Sequence, residues 1–468
     1  MLNEIVGYIS NALYSYILII LLVAGGIYFT VRTRASQITM LPAQIKCVTE
    51  KPDKKGGISS LGALLVSTSS RVGTGNIVGV STAICLGGFG SVFWMWIITI
   101  IGAASAFVES TLAQIFKKRG EDGSYGGPAY YIEAALKLRP LAIVFSVLLI
   151  LTYGCGFNML ASYNLQSSFE TFSFYSESIT PWIIGGIIAA LTALCLFGGG
   201  RGLVKTTSLL LPIIGIAYIL VSIIVIIINH GAIGGVFAKI FSSAFDFKAI
   251  FGGFGGSCVI YGIKRGLFSN EAGVGSAPNA SAAADVSHPA KQGLVQVLSV
   301  FIDTLVICSA TAFMCMTSGI EPSKEISGMP YVQASISESL GYFGVIFITV
   351  AMVLFAFTTI LGNLFYCDKA FNHILGKAPS KLFKYIYYGV ASALVLFGAV
   401  LSSSLLWDIA DVMMGLMAII NVPVIIILGK YAFRALADYR KKRKSGSPLT
   451  FRARDIGINA PLDYWQED

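Results

Sequence analysis

The sequence has few charged residues. Only 12% of its 468 residues are charged, whereas about 25% is usual for a soluble domain, and 55% are apolar. Soluble, disordered and nucleic-acid-binding proteins are excluded, because none of them could keep this much apolar surface in water. The apolar runs are continuous rather than alternating, which argues against a membrane β-barrel. The composition therefore predicts an all-α polytopic membrane protein.

Residues that form metal centres and enzyme active sites are also sparse. The eight cysteines are scattered, mostly within apolar runs, and form no CxxC pair, so we interpret them as packing residues. The three histidines, His230, His288 and His373, are too far apart in sequence to suggest a metal or catalytic cluster. The sequence contains no HExxH, nucleophile-turn or P-loop motif. We therefore predict that the protein is not an enzyme and uses no cofactor.

Apolar stretches long enough to cross a bilayer recur along the whole chain. A membrane-spanning helix needs about 20 residues. The eleven predicted spans are 14–31, 61–86, 91–116, 140–166, 181–197, 203–228, 249–265, 290–317, 342–366, 384–402 and 405–429. No Lys or Arg precedes the first span and no small-residue cleavage site follows it, so we interpret it as a helix of the mature protein rather than a signal peptide.

The lysines and arginines predict the orientation. With the N-terminus outside, 29 of the 33 lie in the predicted cytoplasmic segments, three lie in outside segments, and Arg71 lies within a span. This asymmetry follows the positive-inside rule and predicts a cytoplasmic C-terminus in the cell membrane. The basic run 440–444 is first a positive-inside anchor, and a specific lipid or partner site is the alternative.

Two predicted spans contain clusters that should interrupt a helix. Residues 69–76 read SSRVGTGN in the second span, and residues 252–257 read GGFGGS in the seventh. Each glycine weakens a helix by about 1 kcal/mol relative to alanine. Backbone that opens at membrane depth is tolerated where it is buried in protein or lines a cavity. Close helix packing through small residues is the alternative interpretation.

Opened helices suit an amino acid that travels with a cation. Freed carbonyl oxygens can bind the cation, and the N-terminus of a half-helix can bind a carboxylate. The two clusters lie five spans apart, which divides the chain into one extra N-terminal helix and two halves of five spans. This layout is typical of inverted-repeat transporters.

Four stretches, in order along most of the chain, resemble the alanine/glycine:cation symporter family. They are RVGTGNIVGVSTAICLGGFGSVFWMW at 71–96, GGPAYYIE at 126–133, RGLFSNEAGVGSAP at 265–278 and QGLVQVLSVFIDT at 292–304. The resemblance implies a five-plus-five inverted-repeat core of the leucine-transporter type, with two discontinuous helices, behind one extra N-terminal helix. It also implies Na⁺-coupled import of alanine, glycine or a similar small neutral amino acid by alternating access.

The resemblance further implies a single membrane transporter domain over 1–468. Its parts are the extra helix and cytoplasmic loop at 1–58, the first repeat at 59–228, the second repeat at 229–430 and the basic cytoplasmic tail at 431–468. The expected partners are a small neutral amino acid, sodium and the lipid bilayer, and a monomer is sufficient. Beyond sodium, no metal is expected.

Site residues carry over from the family position by position. The candidate substrate-binding residues are Thr74, Gly75, Asn76, Asn158, Phe254, Gly255, Gly256 and Ser257. The candidate sodium-binding residues are Ser69, Val72, Asn76, Thr358 and Thr359. Thr358 and Thr359 are alternatively ordinary helix threonines that bond to their own backbone. Ala161 stands where the family leads us to expect glutamine, with Asn158 and Asn164 nearby, and this departure bears on which amino acid is carried.

Charged residues within or near the spans leave two interpretations open. Arg71 is either a gate or anion contact, or the ion-pair partner of an acid such as Glu271 or Asp303. Three acids near the predicted cytoplasmic span ends are interpreted as interfacial or ion-paired, with a proton relay as the alternative. These acids are Glu109, Asp303 and Asp368.

Other interpretations also stay open at this point. Residues 329–341 are either an extracellular lid helix or a simple loop. For function, the alternatives are a proton-coupled transporter of another small amino acid or metabolite and, in another class, an ion channel. An intramembrane enzyme is disfavoured because the catalytic motifs are missing from the sequence.

Overall fold

The computed structural model describes residues 2–52, 57–120, 123–197, 199–246, 250, 257–377, 379–458 and 461–466. These residues are mainly helical. Strands β1 (Lys118–Gly120) and β2 (Gly123–Tyr125) form an antiparallel hairpin in which Lys118 pairs with Tyr125. The all-α prediction therefore holds for the described part of the chain apart from this short hairpin.

The first half of the chain forms helices α1 to α13. In order they are α1 (Leu2–Ala12), α2 (Leu18–Arg32), α3 (Ser36–Thr39), α4 (Leu41–Thr49), α5 (Ser60–Arg71), α6 (Val80–Gly87), α7 (Gly90–Ile115), α8 (Pro128–Tyr131), α9 (Arg139–Leu149), α10 (Asn158–Ser167), α11 (Thr180–Phe197), α12 (Gly199–Ile228) and α13 (Ile233–Ala244). A short 3₁₀ helix, His230–Ala232, precedes α13.

The second half forms helices α14 to α20. In order they are α14 (Cys258–Asn270), α15 (Pro278–Ala283), α16 (Pro289–Phe301), α17 (Ser309–Met316), α18 (Met329–Leu375), α19 (Lys381–Gly398) and α20 (Ser403–Ser445), followed by the 3₁₀ helix Ala453–Ile456. Wider π-helical segments adjoin several helices of both halves, at Leu13–Ile17, Gly75–Gly79, Ile132–Leu136, Ile150–Phe157 and Ile302–Cys308.

Eight helices of the described residues are long and apolar enough to cross a membrane. They are Asn3–Arg32, Gly90–Ile115, Arg139–Ser167, Thr180–Phe197, Leu210–Ile228, Pro289–Met316, Met329–Leu375 and Ser403–Ser445. Each overlaps one of the eleven predicted spans, and the number eleven itself stays a prediction. The predicted span 61–86 corresponds to a helix that is interrupted after Arg71. The predicted span 384–402 corresponds to α19, whose first turn contains two lysines. The predicted span 249–265 is described only in part.

Helix α7 lies at the centre of the bundle, and its neighbours approach it through glycine. A Cβ atom at Gly266 of α14 would lie 2.8 Å from the side chain of Ile98, and a Cβ at Gly26 of α2 would overlap Ile101. Small residues let helix backbones approach closely within a membrane. Several glycines of the described residues therefore serve helix packing, whereas those at the helix interruptions described below lie in opened backbone.

Residues 329–340 form a helix rather than a simple loop. Helix α18 contains a kink at Gly341, where φ is 59° and ψ is −150°, so a short helix precedes the long one. The Oγ atom of Ser81 on α6 accepts from the Gly328 N–H at 3.1 Å and donates to the Gly328 carbonyl at 2.6 Å. These bonds attach the start of the short helix to α6. A function as an extracellular lid stays a prediction.

Candidate substrate and cation site

The first predicted interruption is present between α5 and the π-helical segment that leads into α6. Helix α5 ends at Arg71, Val72 is extended with ψ of 98°, and helical backbone resumes at Thr74. The Oδ1 atom of Asn76 accepts from the Gly73 N–H at 2.8 Å, which satisfies one backbone donor that the interruption leaves without a helical partner. Thr74, Gly75 and Asn76 thus lie at the start of the second half-helix.

Helix α18 packs directly against this interruption and brings two candidate sodium ligands together. The Thr359 hydroxyl donates to the Ser69 carbonyl at 3.2 Å, across 290 positions of sequence. A Cβ at Gly73 would overlap the Thr359 hydroxyl, and one at Gly362 would lie 2.9 Å from the Ser70 nitrogen. The glycines therefore permit this approach.

Thr358 differs from its neighbour in its hydrogen bonding. Its hydroxyl donates to the Phe355 carbonyl of its own helix at 3.0 Å, as the alternative interpretation of the two threonines states. The side chain is fully buried one position away from Thr359. The structure therefore places Thr359 at the interruption and gives Thr358 a local backbone bond.

A second interruption separates α14 from α15, at a place that the sequence analysis did not single out. Three residues there adopt left-handed backbone conformations: Glu271 (φ 53°), Gly273 (φ 86°) and Gly275 (φ 96°). A Cβ at Gly275 would lie 2.7 Å from Phe145. Glycine suits positions 273 and 275 because other residues rarely adopt positive φ, and Glu271 adopts it without being glycine.

The predicted second interruption at 252–256, with Phe254, Gly255 and Gly256, lies outside the described residues. Ser257 is described, and it caps the N-terminus of α14 by accepting from the Ile260 N–H. It precedes Ser269 by twelve residues, which is about 18 Å along the helix axis. Ser257 instead lines a cavity of about 510 Å³ together with Gly87 and Lys239. The structure therefore places Ser257 beside this cavity and at the far end of α14 from Ser269, and its function in substrate binding stays a prediction.

Asn76 connects the two interrupted helices. Its Nδ2 atom donates to the Ser269 hydroxyl at 3.0 Å and to the carboxylate of Asp303 at 2.8 Å. The Ser269 and Thr304 hydroxyls also donate to this carboxylate, at 2.7 and 2.8 Å. Asp303 is completely buried, so its interpretation as an interfacial acid is wrong. A buried carboxylate with several donors around it forms a polar centre between the two interruptions.

Glu109 is also buried rather than interfacial, and it holds the second interruption in place. The Asn421 amide donates to Glu109 Oε2 at 2.8 Å and to the Gly273 carbonyl at 2.9 Å, and the Gly273 N–H donates to Glu109 Oε1 at 3.4 Å. Asp368, by contrast, is partly exposed beside Lys369, 3.6 Å away, as an interfacial acid should be.

Arg71 is buried next to the first interruption without an acidic partner among the described residues. Its Nη1 atom donates to Gln296 Oε1 at 3.1 Å, while Nε and Nη2 have no hydrogen-bond partner there. Glu271 accepts from the Ser276 hydroxyl and Asp303 from the Asn76 amide, and neither lies within ion-pair distance of Arg71, whose function stays a prediction. The guanidinium therefore keeps donors available beside opened backbone.

Aromatic side chains form one wall of the site. A Cβ at Gly75 would lie 2.9 Å from the ring of Phe268, which means that this ring packs directly on the Gly75 backbone. The Phe268 ring centroid lies 4.7 Å from that of Phe157 and 4.8 Å from that of Trp407. Phe268 and Ser269 were missed as site residues, although they lie within the quoted stretch at 265–278.

Asn158 reaches the first interruption only through another side chain. The Asn363 amide donates to Asn158 Oδ1 at 2.9 Å, and Asn363 Oδ1 accepts from the Ser70 hydroxyl at 2.6 Å. Asn158 Nδ2 has no partner among the described residues, and Ala161, one turn later, is buried. Asn158 thus lies behind the interruption with a donor available.

Known proteins with similar sequences identify the family of this chain. The model of the sodium:alanine symporter family matches residues 1–453. The chain belongs to this family. "Amino-acid carrier protein AlsT" of Bacillus subtilis is 39% identical over 100% of this chain and 98% of its own length. "Probable sodium/glutamine symporter GlnT" of the same organism is 41% identical over 99% and 96%. "Sodium/alanine symporter AgcS" of Methanococcus maripaludis is 33% identical over 94% and 98%.

The fold of this symporter is leucine-transporter-like. The crystal structure of MhsT in complex with L-phenylalanine matches it with a TM-score of 0.57, covering 82% of this chain and 93% of that one. Sequence identity is 16%, so the likeness concerns the fold alone. It supports the coarse architecture that the sequence predicts.

A buried charge cluster of the symporter was missed by the sequence analysis. The carboxylate of Asp411 on α20 lies 2.9 Å from Lys264 Nζ and 2.9 Å from Arg265 Nη2, both on α14. The Arg265 guanidinium also lies over the Trp407 ring, 4.1 Å from its centroid. Lys264 and Arg265 are almost fully buried, so counting them as cytoplasmic loop charges was wrong. Adjacent cations in an apolar run, with an acid in a later span, are the signal that indicates such a cluster.

Proposed function

We propose that this protein imports a small neutral amino acid, alanine or glycine, together with Na⁺ by alternating access. The observation that supports this most is the meeting of two helix interruptions at Asn76, which bonds to Gly73 on one side and to Ser269 and Asp303 on the other. Opened backbone inside a membrane protein provides carbonyl groups and helix ends for ligands. Membership of the sodium:alanine symporter family supports the class of cargo.

The proposed sodium site uses oxygen atoms of α5 and α18. Its ligands are the Ser69 and Val72 carbonyls and the Thr359 and Thr358 hydroxyls, with Asn76 nearby. Such neutral oxygen atoms suit a hard monovalent cation. In the structure the Thr359 hydroxyl donates to the Ser69 carbonyl, so the two oxygens already lie within ligand distance of a shared point. Binding of Na⁺ would replace this hydrogen bond and fix α18 against the interruption.

The proposed amino-acid site lies at the start of the half-helix that follows the interruption. The N–H groups around Thr74 and Gly75, together with the available Arg71 donors, suit the substrate carboxylate. Phe268 packs on Gly75 and leaves little room for a large side chain. Each excluded methylene changes affinity by about 1–3 kcal/mol. Leakage to slightly larger amino acids is therefore expected, and Asn158, whose Nδ2 donor has no partner among the described residues, is a further proposed substrate contact.

Coupling between Na⁺ and the amino acid follows if both ligands bind the same conformation of the protein. Cation and substrate both stabilise the arrangement in which α5, α14 and α18 meet, so each raises the affinity for the other. Trp407 contacts both the Phe268 ring and the guanidinium of Arg265, whose helix begins at the cavity beside Gly87, and these contacts are proposed to separate when the site opens toward that cavity. By the Lys and Arg distribution, the cavity side is extracellular and the C-terminus cytoplasmic. A monomer suffices, since all these residues belong to one chain.

The test is uptake of radiolabelled alanine into proteoliposomes of the full-length protein. Uptake should require an inward Na⁺ gradient, and unlabelled glycine should compete better than glutamine. Thr359→Val should raise the Na⁺ concentration needed by about five- to thirtyfold, since a lost ligand of this kind is worth about 1–2 kcal/mol. The matched control is Thr82→Val, because Thr82 bonds only to the Val78 carbonyl of its own turn. Equal uptake in potassium-only buffer would refute sodium coupling.

A second candidate is proton coupling, and the buried Asp303 carboxylate favours it. Asp303 contacts Asn76 directly, and no basic side chain of the described residues lies within ion-pair distance of it. A carboxylate in this place is able to exchange a proton as the site opens. Uptake into the same proteoliposomes with a pH gradient and no sodium distinguishes proton coupling from sodium coupling. If uptake occurs under these conditions and Asp303→Asn abolishes it, proton coupling is favoured. Single-channel currents far above carrier rates would instead favour an ion channel.

A further inference from the structure

A basic cavity lies where the N-terminal helix and the last long helix end. It measures about 550 Å³, and its lining includes Arg34, Arg440, Arg443 and Lys444. Residues 440, 443 and 444 lie one turn apart on a single face of α20, which is why their side chains reach the same space. Arg34 follows α2 and faces them across the cavity. Four cations thus surround one concave site.

No acid of the described residues neutralises this cluster. The nearby acids are already engaged elsewhere, because Glu50 pairs with Lys291 at 2.6 Å and Asp438 pairs with Lys442 at 2.7 Å. Arg440 is positioned by its bond to the Thr33 carbonyl at 2.8 Å. The remaining charge of the cavity is therefore available to an anion from outside the chain.

The backbone at Arg34 is held in a conformation that directs it to this site. Arg34 and Ala35 both have left-handed φ, 53° and 50°, which residues other than glycine rarely adopt. The Thr39 hydroxyl secures the turn by donating to the Ala35 carbonyl at 3.0 Å. A strained turn that places a cation at a cavity points to a ligand for that cation.

Exposed apolar side chains adjoin the cavity and indicate the source of the anion. Val31, Ile38 and Leu41 are 69%, 61% and 41% exposed, beside the lining residues Arg34, Thr39 and Met40. A free phosphate would gain nothing from these side chains, whereas the acyl chains of a phospholipid would cover them. The cavity also lies at the ends of two candidate membrane spans, Asn3–Arg32 and Ser403–Ser445, where lipid headgroups are found.

We propose that this cavity binds the phosphate headgroup of an anionic phospholipid, with its acyl chains on Val31, Ile38 and Leu41. Basic pockets between membrane helices are suited to such headgroups. The bound lipid would link α2, the extra N-terminal helix, to α20. This site is separate from the transport site, so it does not depend on the proposed cargo.

The test is native mass spectrometry of the purified full-length protein titrated with phosphatidylglycerol. The double variant Arg443→Gln/Lys444→Gln should bind it roughly 25-fold more weakly, since each basic residue near an anionic headgroup contributes about fivefold. The matched control, Lys430→Gln/Lys441→Gln, removes the same charge from the same helix outside the cavity and should bind like the wild type. Phosphatidylcholine should bind weakly to all three proteins.

Folding is checked by gel filtration and thermal denaturation. Thermal stabilisation by phosphatidylglycerol should be present in the wild type and the control and absent in the cavity variant. A competition experiment distinguishes a lipid headgroup from free phosphate as the ligand, since millimolar inorganic phosphate should fail to displace the lipid. Equal loss of lipid in both double variants, or displacement by inorganic phosphate alone, would overturn the proposal.

Discussion

At the scale of single residues, Asn76 shows how one amide organises a site. Its oxygen accepts from the Gly73 backbone, and its nitrogen donates to Ser269 and to Asp303. Buried polar groups need such partners, because an unpaired one costs about 1–3 kcal/mol. Asn76 therefore holds two interrupted helices in register before any ligand arrives. Its proposed contact with cargo would be made by rearranging bonds that already exist.

The first prediction concerns Gly73→Ala. A Cβ at this position would overlap the Thr359 hydroxyl, so α18 would have to move away from the interruption. Overpacking of this kind costs about 1–3 kcal/mol, and we expect the apparent Na⁺ affinity in the uptake assay to fall roughly ten- to hundredfold. Gly186→Ala is the matched control, because a Cβ there would meet nothing within 4 Å. Unchanged sodium dependence in Gly73→Ala would contradict the proposed contact.

Single positions also show what the sequence reveals of the site. Asn76 was predicted because a polar residue beside a glycine cluster in an apolar run needs a partner, whereas Ser69 and Thr359 were predicted from the resemblance to the family. Phe268 was missed, since a phenylalanine in a membrane helix looks like ordinary packing until the neighbouring Gly75 is known. Contacts that join distant parts of a chain are set by tertiary packing, which local patterns do not encode.

At the scale of helices, the two interruptions differ in how visible they are. The first combines glycine with polar residues inside a long apolar run, so 69–76 was predicted correctly as an opened helix. The second, at 271–277, follows a helix that ends with a buried asparagine and spreads its glycines over several positions, so it resembles an ordinary loop. Composition identifies a clustered break more easily than a dispersed one.

The second prediction concerns the N-terminus of α16, where His288 is the capping residue outside the candidate spans. Its Nδ1 atom accepts from the Ala290 N–H at 3.1 Å, which leaves the proton on Nε2 to bond Asp438 at 3.2 Å. Burial, which outweighs the nearby Asp438, lowers the pKa of His288 to about 4. The folded protein therefore keeps this imidazole neutral.

The sign of the pH effect follows from that lowered pKa. Between the unfolded pKa of about 6.5 and the folded pKa, the unfolded state binds more protons. Stability from this residue is thus complete above the unfolded value and falls by up to roughly 3 kcal/mol as pH drops toward the folded value. Thermal denaturation of the purified protein across this interval should show a smaller decline in His288→Asn, which keeps a capping acceptor. His230→Asn is the control, and a decline equal to wild type in His288→Asn would contradict the assignment.

At the scale of the whole molecule, the cost of placing a charge within a membrane determines where charged residues lie. The excess of apolar residues and the Lys and Arg distribution were enough to predict a multi-pass helical membrane protein. They were not enough to separate interfacial charges from buried ones. Lys264 and Arg265 both pair with Asp411, which follows Arg265 by 146 positions in the sequence. The pairing therefore depends on how α14 and α20 pack.

The third prediction tests this buried cluster with Asp411→Asn. Asp411 is completely buried and lies within ion-pair distance of both Lys264 and Arg265, so neutralising it would leave the half-buried Asp408 as their nearest remaining acid. Removing one partner of a buried pair typically costs about 3–5 kcal/mol. We expect a marked fall in the melting temperature of the purified protein.

Two further variants make this expectation specific to charge pairing. Asp408→Asn removes a partly buried acid from the preceding turn of α20, which forms no ion pair within 4 Å of Lys264 or Arg265, and should lower the melting temperature less than Asp411→Asn. The triple variant Lys264→Met/Arg265→Met/Asp411→Leu replaces the whole cluster by apolar side chains and should recover much of the stability, because it leaves no charge buried alone. If Asp411→Asn melts like the wild type, or if the triple variant is less stable than the single one, the cluster does not stabilise the fold by charge pairing.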